Sequence, residues 1–197
     1  MIELPAWAVP NDAPALALVD AGGTMRSPLN TAALRVNRPG SHYRATLTFA
    51  PMEPREGRIV VSRLIRAQRE GLRVEFPLPE PQRVGGTVVI DGAGQSGLGL
   101  AVRGMTPRTV VREGWWLSIE PVTGARCLHN VAGEVIAGAD GRAILPLGEM
   151  LRAPFTDGTR VNLMRPTIEG LVDGDAREWG LSVDQLTTIA FTIEEAR

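Results

Sequence analysis

TVVIDGAGQSGLGLAVRG, residues 87–104, supports two opposite folds. Gly92, Gly94 and Gly97 complete a G-x-G-x-x-G directly after the strand-like run Val88-Val89-Ile90. In a dinucleotide-binding fold such glycines turn a strand tightly into a helix, and the N-terminus of that helix holds the pyrophosphate. The residues after Gly97 therefore choose between the folds. Leu98 to Val102 alternate at period two, and Gly99, Gly104 and Pro107 would each weaken a helix. A parallel second strand also needs a crossover of a dozen or more residues, which the distance to the next apolar run, Val110-Val111, barely allows. The stretch is expected to be a glycine-rich β-hairpin connection with no bound cofactor.

The rest of the chain agrees with a mainly β reading. It has 197 residues, of which 44% are hydrophobic, enough for a buried core. Its 22 glycines and 15 prolines are spread throughout, which favours many short strands joined by tight turns. A net charge of −1 supplies no global field for nucleic acid or an anionic membrane, so neither sequence-specific nucleic-acid binding nor membrane insertion is expected. All 21 basic residues are arginine. Codon usage in a GC-rich genome explains this, as does a demand for planar guanidinium forks at polar interfaces. The single cysteine, Cys127, excludes an intramolecular disulfide and a cysteine-based zinc site. The first twenty residues carry three prolines and no basic leader, so they do not read as a signal peptide, and no run approaches the roughly 18 apolar residues of a membrane span.

Strands are expected at Ala15–Val19 and Leu34–Val36, and above all in SHYRATLTFAPM, where Tyr43, Ala45, Leu47 and Phe49 alternate with Arg44, Thr46 and Thr48. One helix is expected over 54–70. Pro54 suits its first position, Glu53 and Glu56 its positive end, Arg66 and Arg69 its negative end, and Gly71 its stop. Val60, Val61, Leu64 and Ile65 would form its apolar stripe, with Arg58, Arg63, Arg66 and Arg69 on the opposite side. Prolines at 77, 79 and 81 then suggest a boundary, after which β-like runs and the turn pairs Asp140-Gly141 and Asp157-Gly158 fill residues 84–171. The tail alternates again at Ile189, Phe191 and Ile193. The architecture expected is mainly β: one unit of residues 1–83 plus 172–197 with a packed helix, carrying an inserted β-barrel or sandwich, 84–171.

Catalytic candidates are few. Cys127 and His129 share one face of an expected strand, but neighbours two apart on a strand meet poorly, and free cysteine is commonly a small buried hydrophobe. His42 has no nearby histidine with which to share a metal. Asp173 and Asp175 resemble the start of a calcium loop, yet the third ligand position falls on Arg177, so a turn is expected. Trp115 and Trp116 are adjacent and should point to opposite faces, one into the core and one outward as a contact for a partner or a sugar ring. No catalytic, cofactor or metal residue is assigned, and the chain is not expected to be an enzyme.

The order of segments carries a resemblance. RSPLN, then RPGSHYRATLTFAPM leading straight into the helix, then VVIDGAGQSG, RAPFTDGTRVNL and a terminal strand ending in Glu194-Glu195 resemble the distal tail (Dit) proteins of long-tailed, siphovirus-type bacteriophages. The family's Gly-x-Arg-Trp and Pro-Pro-Met are matched here at Gly40 and Met52, with His42-Tyr43 and Ala50-Pro51 in the remaining places. The resemblance implies a tube-type β-domain that forms a homohexameric ring at the tail tip. It places that ring between the tail tube protein and the hub or tip protein, with a tail fibre as a further expected partner, in a virion protein made in the host cytoplasm. Arg58, Arg63, Arg66 and Arg69 are then expected to meet Glu194 and Glu195 across the subunit boundary. The alternative is a viral carbohydrate- or receptor-contacting β-module using Trp115 or Trp116.

Overall fold

The structure is a computed structural model that describes residues 1–11, 14–26, 33–172, 179–181 and 187–195. The first part of the chain supplies β1 (Ile2–Glu3), β2 (Ala15–Val19), β3 (Gly23–Met25), β4 (Leu34–Val36), β5 (His42–Thr48), helix α1 (Pro54–Glu70) and β6 (Leu72–Glu75). The middle supplies β7 (Gly86–Ile90), β8 (Gly99–Met105), β9 (Val110–Val111), β10 (Trp116–Glu120), β11 (Cys127–Asn130), β12 (Val135–Ile136), β13 (Ala143–Pro146) and β14 (Arg160–Asn162). Then come β15 (Thr167–Val172), β16 (Trp179–Leu181) and β17 (Thr187–Glu195). The protein is mainly β with one helix, as its breaker-rich composition implies.

Among the described residues, seven strands form an open sheet in the order β1-β6-β15-β17-β5-β2, with β16 also on β17, and of their pairings only β1 with β6 is parallel. Six form an antiparallel sheet in the order β11-β10-β14-β7-β8-β13. Each sheet has its own apolar cluster. Tyr43, Ala45, Leu47 and Phe49 enter the first together with Ile189, Phe191 and Ile193, so the alternation of β5 and β17 is realised residue by residue. The second collects Val88, Ile90, Leu100, Val102, Leu117, Ile119 and Val161 among others. Contacts pass from the first cluster to the second between Leu78 and Val84, and Gln82 pins this crossing: its amide donates to the Trp116 carbonyl at 2.6 Å and accepts from the Trp116 N–H at 2.7 Å.

Two expectations need correction. β15 begins within the 84–171 segment, yet it pairs with β6 and β17 in the seven-stranded sheet, so the chain returns to the first core by Ile168 rather than after 171. The stripe of α1 is also rotated. Its buried residues are Gly57, Val60, Leu64 and Ala67, with Val61 half-buried and Ile65 exposed. Gly57 at the start of this stripe admits close approach of β17. A Cβ added at Gly57 would stand 2.6 Å from the Cβ of Thr187. The helix begins at Pro54 and stops at Gly71, whose φ of 76° favours glycine.

Candidate functional site

The junction between the two sheets holds most of the buried charge. Glu195 is the inward residue that continues the series Ile189, Phe191, Ile193 on β17, and it is buried. Its carboxylate accepts the Tyr43 N–H of β5 and the Leu128 N–H of β11, each at 2.7 Å, and is ion-paired with Arg152. Burial pushes its pKa above the ordinary 4.5, against the pull of Arg152. Beside it, the Tyr43 hydroxyl donates to Glu149 Oε2 at 2.6 Å, and His129 Nδ1 lies 2.6 Å from Glu149 Oε1. Burial, then Glu149, raises the Tyr43 pKa, so its hydroxyl keeps its proton as a donor. β5 and β17 of one sheet are thus tied to β11 and the 149–152 segment of the other by largely buried polar contacts.

This geometry corrects the acidic half of the expected subunit interface. Glu195 faces its own core, and Glu194 is held by His42 Nε2 at 2.9 Å and by Arg44. His42 is likewise satisfied, with Nδ1 3.1 Å from the Gly40 carbonyl. The helix arginines do not act as one group either. Arg58 donates to the Pro54 carbonyl and Arg66 reaches Glu70 at 3.4 Å, while Arg69 lies in the last turn. Arg63 instead turns toward the N-terminal segment and donates to the Glu3 carbonyl at 2.6 Å.

Arg63 there joins an open groove of about 680 Å³ lined by residues of both sheets. Arg73 of β6, Arg126 before β11, Arg160 of β14 and Arg165 after it complete the set. Arg73 is held between Glu3 at 2.8 Å and the buried Glu169 at 2.7 Å; Arg165 bonds Glu75; Arg126 lies 3.0 Å and Arg160 3.8 Å from Glu120. Sequence reasoning missed this group because its members come from separate elements and share no local spacing. The lysine-free composition was the only hint.

The tryptophans depart from expectation as well. Both are half-buried. Trp115 packs on the second core, while Trp116 turns to the first, with its ring 5.0 Å from Tyr43 in an edge-on contact and 5.0 Å from Phe76. They do point apart, but each side of the strand meets a core, so neither stands outward. Cys127 and His129 lie on β11 and have separate partners: the thiol faces the Ala125 carbonyl at 3.8 Å, and burial pushes its pKa up to about 11. A protonated buried thiol is a poor nucleophile at neutral pH.

The glycine fingerprint is the loop of the β7–β8 hairpin, and Gly92, Gly94 and Gly97 all have positive φ. Its donors face inward. The Gly92 N–H goes to Asp157 Oδ1 at 2.8 Å and the Gly94 N–H to the Phe155 carbonyl, while Gln95 fills the loop with bonds to Asp91 and Ala101. Arg103 holds both Asp91 and Asp157. An acidic side chain therefore sits where a phosphate loop offers free N–H groups. Asp173 and Asp175 lie outside the described residues; among the described residues no cluster of three or more His, Cys, Asp or Glu is placed to hold a metal, and no helix is long and apolar enough to cross a membrane. No protein-family model matches the chain, and no curated protein does.

Proposed function

We propose that this chain is a structural subunit of a long-tailed phage tail tip, assembling with copies of itself into a closed, hexameric ring between tail tube and hub. The observation that carries the reading is β2. This strand ends the seven-stranded sheet, reads ALALV with no charge and no proline, and leaves Leu16 and Leu18 36% and 50% exposed. A long apolar edge of this kind is a template for another chain and is normally blunted or covered. The opposite edge, the two-residue β1 beside Arg73, is chemically unlike it. Two unlike edges suit a heterologous contact, in which each copy lends one edge to its neighbour and the rotation closes a ring. The segment order shared with distal tail proteins supplies the biological setting.

The carbohydrate-contacting alternative relied on an outward tryptophan and has no comparable support, because Trp115 and Trp116 are both packed against cores. The ring is tested by native mass spectrometry and negative-stain imaging of purified protein, alone and with tail tube or hub protein. Replacing Leu16 and Leu18 together by Lys should yield a monomer with an unchanged cooperative melt. A wild-type chain that stays monomeric in all these mixtures, or that localises away from the tail in imaged particles, would overturn the reading.

A further inference from the structure

We propose that the arginine groove is a docking site for an acidic segment of a partner protein, one whose carboxylates alternate with apolar side chains. Two kinds of residue line the groove: the five arginines, and the apolar residues Leu4, Pro5, Ala6 and Val9 of the N-terminal segment, with Val9 54% exposed. The carboxylates that bond these arginines are Glu3, Glu75, Glu120 and Glu169, so five cations face four anions.

The arginines fall into two tiers. Arg73 is fixed by Glu169, which is buried, and belongs to the less exposed tier. Arg160 and Arg165 have side chains 65% and 69% exposed, and Arg63 meets a carbonyl rather than a carboxylate. A guanidinium carries five N–H donors, and exposed ion pairs are worth little, so an incoming carboxylate takes up these donors at small cost. Arginine is suited to this task because its fork binds carboxylates in bidentate fashion. The apolar lining residues explain why the ligand is not a bare anion: they offer contact area that only a ligand with apolar groups uses. A nucleic-acid backbone fits poorly, since its regular phosphates would meet Glu3 and Glu75, and the whole chain has a net charge of −1. The groove lies beside β1, at the sheet edge opposite β2, so peptide binding is measured on the Leu16→Lys, Leu18→Lys chain as well as on the wild type, which separates the failure of docking from the failure of ring closure.

The test uses the full chain and a fluorescent library of nine-residue peptides with Asp or Glu alternating with Leu, Ile, Val or Phe, read by anisotropy. Members should bind, and binding should weaken as salt rises. Affinity should fall at least tenfold in the Arg63→Ala, Arg160→Ala double variant and hold in an Arg83→Ala, Arg112→Ala control of equal charge loss. Arg160→Glu alone serves as a second variant, exposed enough to leave the melt intact. Peptides with Gln and Asn in place of the acids should fail. Failure of every acidic peptide, equal loss in the control variant, or binding only to a single-stranded oligonucleotide or to inorganic phosphate would each overturn the proposal.

Discussion

The Tyr43 hydroxyl and Glu149 Oε2 lie 2.6 Å apart in the buried junction, joining β5 of one sheet to the segment that follows β13 of the other. A hydrogen bond between a desolvated donor and a carboxylate contributes more than a neutral one, and its loss leaves a buried acceptor short of a partner. Tyr43→Phe keeps the ring and its edge-on contact with Trp116. It should therefore cost about 1.5–3 kcal/mol in denaturant unfolding. A change near zero would mean that this contact does not fasten the junction.

The Arg152–Glu195 pair gives a pH-dependent prediction. Arg152→Met leaves the Glu195 carboxylate buried without its cation, a loss of about 3–5 kcal/mol at neutral pH. Burial already raises the Glu195 pKa from 4.5, and removal of the cation raises it further. A carboxyl whose folded pKa exceeds its unfolded value favours the fold when protonated, and that advantage is lost as pH rises through the folded pKa. The deficit of Arg152→Met relative to wild type should therefore be largest at pH 7.5 and shrink toward pH 5. Chemical denaturation at the two pH values measures it, and equal deficits would reject the assignment.

The elements legible in the sequence are those set by local physics. α1 begins and ends where Pro54 and Gly71 place it, and β2, β4 and β5 fall on the apolar runs that announce them. What escaped depends on partners distant in sequence. TIEGLV of β15 gives no local sign of which sheet it joins; its register with β6 decides that. Glu195 was readable in principle, because the period-two pattern of β17 puts it on the face of Ile193, but an acidic pair near the end of a chain suggests solvent until Arg152 is known to lie opposite. Trp116 lies on a strand flanked by two cores, and no periodicity distinguishes a core from solvent on the far face.

Cys127 supplies a chemical check on burial. Its thiol, held up to about 11 by desolvation, should resist an aromatic disulfide reagent in the native protein at pH 7.5. One thiol per chain should then titrate in denaturant, since the sequence contains one cysteine. Rapid labelling of native protein would show β11 opening to solvent and would contradict the packed junction.

The hairpin loop predicts both an acid response and a failure to bind. Asp157 is held at a pKa of about 2, first by Arg103 and then by the Gly92 N–H. A carboxyl whose folded pKa is depressed from 3.8 adds stability above about pH 4 and loses it as pH falls toward 2. Asp157→Asn should therefore flatten the thermal stability profile over that window while leaving the β7–β8 pairing, read by amide exchange, in place. Because the same carboxylate holds the N–H that a pyrophosphate would need, dinucleotides and nucleoside triphosphates should give no thermal shift. Linkage makes the measurement sensitive, since a ligand at a hundredfold excess over its Kd adds about 2.7 kcal/mol. A clear shift in wild-type protein that Gly94→Val removes would restore the nucleotide-binding interpretation of the loop and overturn the one argued from its hydrogen bonds.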